Sequence, residues 1–129
     1  MLEDSVKQLA QGKNFGTITT LMKDGSPMTH VMWVDADDEH VIVNTEVHRA
    51  KFKNIERDPR VAVTIFDAAN PYLYREVRGV VSETVRGPEA RAHINKLSQK
   101  YSGKDYDDGA ITSERVILKI TPTRQRGMS

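Results

Sequence analysis

Apolar residues recur along this chain with two different periods, and the switches between them mark its elements. From Glu3 to Gly12, Val6, Leu9 and Ala10 fall on one side of a helical wheel and Gly12 supplies a stop, which predicts a short amphipathic helix. The period then drops to two. Phe15–Met22 and Met28–Val34 read as strands around Lys23-Asp24-Gly25-Ser26-Pro27, whose Asp-Gly pair suits a tight hairpin and whose proline can only open a strand. A second turn, Asp35-Ala36-Asp37-Asp38, leads to a third strand, His40–Thr45, and the three are expected to pair in succession as a meander.

Arg49–Arg57 is helical in composition, and Asp58-Pro59 ends it because a residue before proline avoids the α region. In Val61–Phe66 both alternating faces are apolar, which predicts a central strand. After Asn70-Pro71 a longer strand is expected from Tyr72 to about Glu83, with Leu73, Val77, Gly79 and Val81 on one face and Tyr72, Tyr74, Glu76, Arg78 and Val80 on the other. Gly87-Pro88-Glu89 opens a third helix, and Ala90, Ile94, Leu97 and Tyr101 give it one buried stripe. Polar Ser102–Ser113 reads as a loop, and Arg115–Thr121 as a last strand stopped by Pro122.

Six strands and three short helices without a βαβ rhythm predict a mainly β fold, an antiparallel barrel whose gaps the helices plug. At 129 residues the chain is expected to form one domain, residues 1–129, with little interior to spare for an enclosed ligand. A ligand is therefore expected in a surface groove or between two copies. The net charge of +1 gives no reason to expect nucleic acid. No segment has the run of about 20 apolar residues a membrane helix needs, and Met1–Lys13 lacks a signal-like apolar stretch, so a cytoplasmic protein is expected. The absence of cysteine removes thiolate chemistry and disulfides, and the four histidines lack metal-site spacing, so no metal is expected.

Three stretches carry candidate chemistry. Where the third strand gives way to the second helix, Arg49, Lys51, Lys53 and Asn54 crowd together. Cations oppose the dipole of a helix N-terminus unless an anion sits there, so this is either a phosphate site or a solvated helix face. Thr29, His30, Val31, Met32 and Trp33 form a strand along which a planar cofactor could lie, or simply core and edge residues. Tyr72, Tyr74 and Arg78 share a strand face and make either a stacking wall or surface rungs.

Taken in order, G-T-I-T-T, D-G-S-P, V-M-W, R-A-K-x-x-N-I-x-R-D-P-R-V, E-V-R-G and R-V-I-L-K-I-T-P-T-R resemble the flavin-reductase-like split β-barrel family. That family includes the pyridoxamine 5′-phosphate oxidases, and the chain looks most like its actinobacterial branch using the deazaflavin coenzyme F-420. The resemblance implies a six-stranded split barrel, a homodimer, and hydride transfer between bound coenzyme F-420 and an unsaturated small molecule. FMN on the same fold, or a carrier without catalysis, are the alternatives. It implies that Arg49 and Lys51, supported by Asn54, hold the cofactor phosphate. Thr29, His30, Val31 and Met32 would hold the ring, with Asn44 and Thr45 beside it. Tyr72 and Tyr74 would complete the site of the other subunit, and Arg78 lies on the same strand face. Lys53 and Arg57 extend the cationic strip toward a longer tail. The pyridoxal-phosphate-holding extension of the longer oxidases has no counterpart before Ser129, so vitamin B6 oxidation is not expected.

Overall fold

The computed structural model describes residues 1–128. Its elements are α1 (Asp4–Gln11), β1 (Phe15–Leu21), β2 (Pro27–Trp33), β3 (Asp35–Ala36), β4 (Val41–Glu46), α2 (Ala50–Arg57), β5 (Arg60–Phe66), β6 (Tyr74–Val85), α3 (Pro88–Ser102) and β7 (Arg115–Met128). The strands make one antiparallel sheet in the order β2-β1-β5-β6-β7-β4-β3. It curls around an apolar interior that includes Ile18, Val34, Val43, Val63, Ile65, Val77 and Leu118, all 0–1% exposed. Val6 and Ala10 of α1 plug one end of this interior and Phe52 and Ile55 of α2 extend it. The three short helices and the mainly β architecture are those expected from the sequence.

The pairing departs from the meander. β1 and β2 form the expected hairpin, with Gly25 in the left-handed region at its turn (φ 87°). The third predicted strand, β4, pairs instead with β7 and with β3. β2 and β3 are thus the two ends of the curled sheet, although only Val34 separates them in sequence. The sheet has seven strands rather than six because Asp35-Ala36, expected as a turn, forms a two-residue rung opposite Ile42 and Val41. The reversal starts two residues later, where Asp37 Oδ1 accepts the amides of Glu39 (2.8 Å) and His40 (2.6 Å).

Pro122 does not end β7, which runs on to Met128 against β6. The proline lies opposite Gly79, at a register shift where the ladder is already irregular, and beyond Ile120 only β6 flanks β7. A missing N–H costs little there. A Cβ on Gly79 would collide with the Thr121 carbonyl, so the close approach of the two backbones requires glycine. β6 itself begins at Tyr74, two residues later than expected. β5 lies between β1 and β6, as its two apolar faces imply.

Candidate functional site

A groove of about 320 Å³ opens where the two sheet ends fail to meet. β2 supplies one bank through Val31, Met32 and Trp33, and β4 the other through Asn44 and Thr45. Ile94 and Leu97 of α3 close one side, and Arg49 and Lys51 stand at the start of α2. Val31 is 67% exposed on the sheet edge, an apolar side chain with no neighbour covering it. Thr45 also lines the groove, and its hydroxyl is buried without a hydrogen-bond partner among the described residues.

The aromatic wall of the groove has a fixed geometry. Trp33 stacks on Tyr101 at 5.2 Å with the rings 3° from parallel, and Tyr106 meets Trp33 edge-on at 6.2 Å. Tyr101 is held in turn: its hydroxyl donates to the Asn14 carbonyl and accepts the Val34 amide (3.1 Å). Tyr106 sits in the segment between α3 and β7, fastened by its amide donating to Asn95 Oδ1 (3.0 Å).

The polar end of the groove follows from the β4–β7 register, which sets Glu46 directly opposite Arg115. Glu46 is fully buried. Its Oε1 accepts the amides of Thr112 (2.7 Å) and Ser113 (2.8 Å), tying down the strap that carries Tyr106. Its Oε2 lies 3.5 Å from Arg115 Nη1 and 3.8 Å from Arg49 Nη2, with no hydrogen-bond donor among the described residues. Burial pushes the Glu46 carboxyl's pKa up, but the two amides and Arg115 more than offset this and hold it below the usual carboxylate value. Lys51 is half-buried; burial, then Arg49 and Arg115, pull its pKa below the ordinary lysine value. Three cations and one carboxylate therefore meet in one place, and each cation raises the cost of the others.

Beneath them runs a chain of oriented groups. Arg115 Nε donates to Asn44 Oδ1 (2.8 Å), and Asn44 Nδ2 donates to the Ala90 carbonyl (3.0 Å) and lies 3.1 Å from His93 Nδ1. His93 Nε2 is 3.2 Å from Asp35 Oδ2. Burial pushes the Asp35 carboxyl up, yet the His93 and Ala36 hydrogen bonds and the nearby Lys96 charge bring it down to about 2.

Of the residues singled out in the sequence, Val31, Met32, Asn44, Thr45, Arg49 and Lys51 come together in this groove. Thr29 and His30 lie further along β2 and are exposed, Thr29 bonded to Thr19 (2.7 Å). Asn54 turns away from the groove and donates to Thr20 Oγ1 (3.0 Å), joining α2 to β1. Tyr72, 79% exposed, and Tyr74 at the start of β6 lie outside this chain's groove. Arg78 is on the outer sheet face beside Glu76 (3.0 Å) and borders a second hollow with Val61 and Val80. Lys53 is exposed, and Arg57 donates to the Leu21 carbonyl (3.4 Å), so neither lengthens the cationic strip of the groove.

Arg115, Tyr106 and Phe15 border the groove without having been singled out, and Ile94 and Leu97, expected to be purely structural, border it too. Arg115 reads locally as the first residue of a strand, and only the β4–β7 pairing brings it to Glu46. Tyr106 lies among the aspartates of a polar loop. The one local signal was the interruption of that loop by a large aromatic residue.

The sequence profile of the pyridoxamine 5′-phosphate oxidase family matches residues 2–129. Among solved structures, an F-420 reductase is 32% identical, with 97% of this chain and 98% of that one aligned at a TM-score of 0.84. A conserved hypothetical protein of Mycobacterium tuberculosis is 27% identical, covering 98% of this chain and 83% of that one at a TM-score of 0.74. A heme storage protein of Vibrio cholerae shares the fold at 14% identity, with 98% and 94% of the chains aligned and a TM-score of 0.68. With curled sheet, profile and reductase all in agreement, the chain belongs to the pyridoxamine 5′-phosphate oxidase family and has its split-barrel fold.

Proposed function

We propose that the groove binds the deazaflavin coenzyme F-420 and that the protein is a reductase acting on an unsaturated small molecule. The observation that carries this reading is the junction of two unlike surfaces. An uncovered apolar strand edge with a stacked aromatic wall runs into a cluster of Arg49, Lys51 and Arg115 that lacks enough negative charge of its own. A flat ring with an anionic tail matches both halves, and the 32% identical F-420 reductase agrees with it.

The ring would lie against Val31, Met32 and Trp33, and Arg49 and Lys51 would hold the phosphate. The bound cofactor supplies the hydride; the protein binds, orients and shields the ring. Tyr106, aimed at Trp33 from the strap, would limit water at that end. A groove of about 320 Å³ is at the small end for such a ligand, so a second copy is proposed to cover the remainder with Tyr72 and Tyr74. Light scattering should then report about twice 14.6 kDa, and a monomer that binds tightly would remove the shared site.

The test is fluorescence titration of the protein with F-420 and with FMN, alongside the mass and spectrum of any copurifying chromophore. Tight F-420 binding that Arg49→Ala weakens and Lys23→Ala leaves alone supports the reading. Tight FMN binding without F-420 binding transfers the site to flavin chemistry on the same fold. Failure of both ligands to bind overturns it.

A further inference from the structure

Resting on that reading of the groove, we infer that Arg115 is a third ligand for the bound anion, so that the site selects two negative charges over one. Arg115 is only 7% exposed, yet it borders the groove. Of its five N–H groups, only Nε–H has a hydrogen-bond acceptor among the described residues. Its terminal nitrogens are left with Glu46 Oε2 at 3.5 Å, an ion pair too long to count as a hydrogen bond. Donors without a protein acceptor, on a side chain that lines the groove, are open to an oxyanion placed there.

The charge count gives the ligand class. Arg49, Lys51 and Arg115 carry three positive charges and Glu46 one negative, which leaves two to be matched. Glu46 carries one charge against two arginines, and its Oε1 is turned to the Thr112 and Ser113 amides rather than to either guanidinium. Arg115 is also held in place before any ligand arrives. Asn44 Oδ1 fixes its Nε, His93 and the Ala90 carbonyl fix Asn44, and the Tyr106 ring lies 5.4 Å from its guanidinium carbon. Little side-chain entropy is then lost on binding. FMN meets the requirement with its phosphate dianion; the deazaflavin, whose phosphate is a diester with one charge, meets it only together with a carboxylate of its tail.

The experiment uses two probes that share an aromatic ring, phenyl phosphate (a dianion at pH 8) and its methyl ester (a monoanion), in calorimetric titrations of the full chain. Wild type should favour the dianion. Arg115→Met should weaken the dianion roughly tenfold, the loss of one charge-assisted contact, and shrink the preference. Arg115→Lys should restore part of it. Arg49→Ala separates the two readings. If it weakens binding while Arg115→Met leaves affinity and preference unchanged, this inference falls and the groove assignment stands. If neither variant alters binding, the groove assignment itself falls. Because Arg115 also holds Asn44 and Glu46, a second measurement avoids substitution altogether. The Nε–Hε resonance of Arg115 in the wild-type protein should shift with phenyl phosphate and saturate with the calorimetric curve, and a stationary resonance overturns the inference.

Discussion

Asn44 and His93 fix each other's chemistry. The Asn44 Nδ2 group lies 3.1 Å from His93 Nδ1, and since that nitrogen of the amide can only donate, the imidazole must accept there. Its proton then sits on Nε2, facing Asp35 Oδ2 at 3.2 Å. Flipping the asparagine would set its oxygen against the Ala90 carbonyl and its amino group against Arg115 Nε–H, so both sides of the contact are determined. Nitrogen-15 spectra of the neutral imidazole should show Nε2 protonated and Nδ1 bare. Asn44→Ala should cost about 1–3 kcal/mol of stability, since buried partners lose their bonds. The opposite tautomer would refute the relay.

Asp35 predicts a distinctive acid response. Its carboxyl titrates at about 2 in the fold, below the ordinary value near 3.9. A lowered acid stabilises the fold above its unfolded value and loses that contribution as pH falls through the folded one. Asp35 should therefore contribute about 2 kcal/mol at neutral pH, lost between about pH 4 and pH 2. Urea unfolding of Asp35→Asn across this window should show a flatter dependence on pH than wild type. Parallel curves would mean that the His93 contact does not form in solution.

Lys51 should show opposite effects on stability and binding. Burial and the two neighbouring arginines disfavour its charge, so Lys51→Ala is expected to raise the melting temperature of the ligand-free protein. The same change should weaken cofactor binding roughly ten- to a hundredfold. Added salt should weaken binding more in wild type than in the variant, because screening acts on the missing pair. Lys23→Ala, on the exposed hairpin turn, is the control for all three readouts.

Leu97 and Ile65 separate packing from binding. Both are buried, but Leu97 borders the groove while Ile65 lies inside the barrel. Each substitution by alanine should cost about 2–5 kcal/mol. Only Leu97→Ala should also reduce cofactor affinity when measured well below the melting temperature. Equal affinities for the two variants would return α3 to a purely structural role.

The sequence was most readable where a residue's environment depends on near neighbours. The β1–β2 hairpin, the three helices and the central position of β5 follow from turn residues and periodicity that a few positions contain. The meander failed because the edges of β4 could pair equally well with β2 or β7, and nothing local distinguishes them. Pro122 looked like a stop because its missing N–H matters only where a ladder needs it, and the bulge opposite Gly79 is a tertiary fact. The site divided along the same line. Arg49 and Lys51 stood out as adjacent cations at a strand-to-helix junction, whereas Arg115 acquires its meaning from Glu46, 69 positions earlier.

That separation has a consequence for biosynthesis. β7 is the last of the seven strands to be made, yet it is the one that joins β6 to β4. Until it leaves the ribosome, β4 has only the two-residue rung of β3 to pair with, and Glu46 is a buried-type carboxylate with no arginine opposite. Closing this pair spans a long loop, which places it among the slow steps of folding. The nascent chain can complete its β1–β2 hairpin and the β1-β5-β6 ladder early, but the Arg115 side of the groove arrives only with β7. A ligand of the proposed groove would therefore act on maturation after this late closure, when both banks are in place.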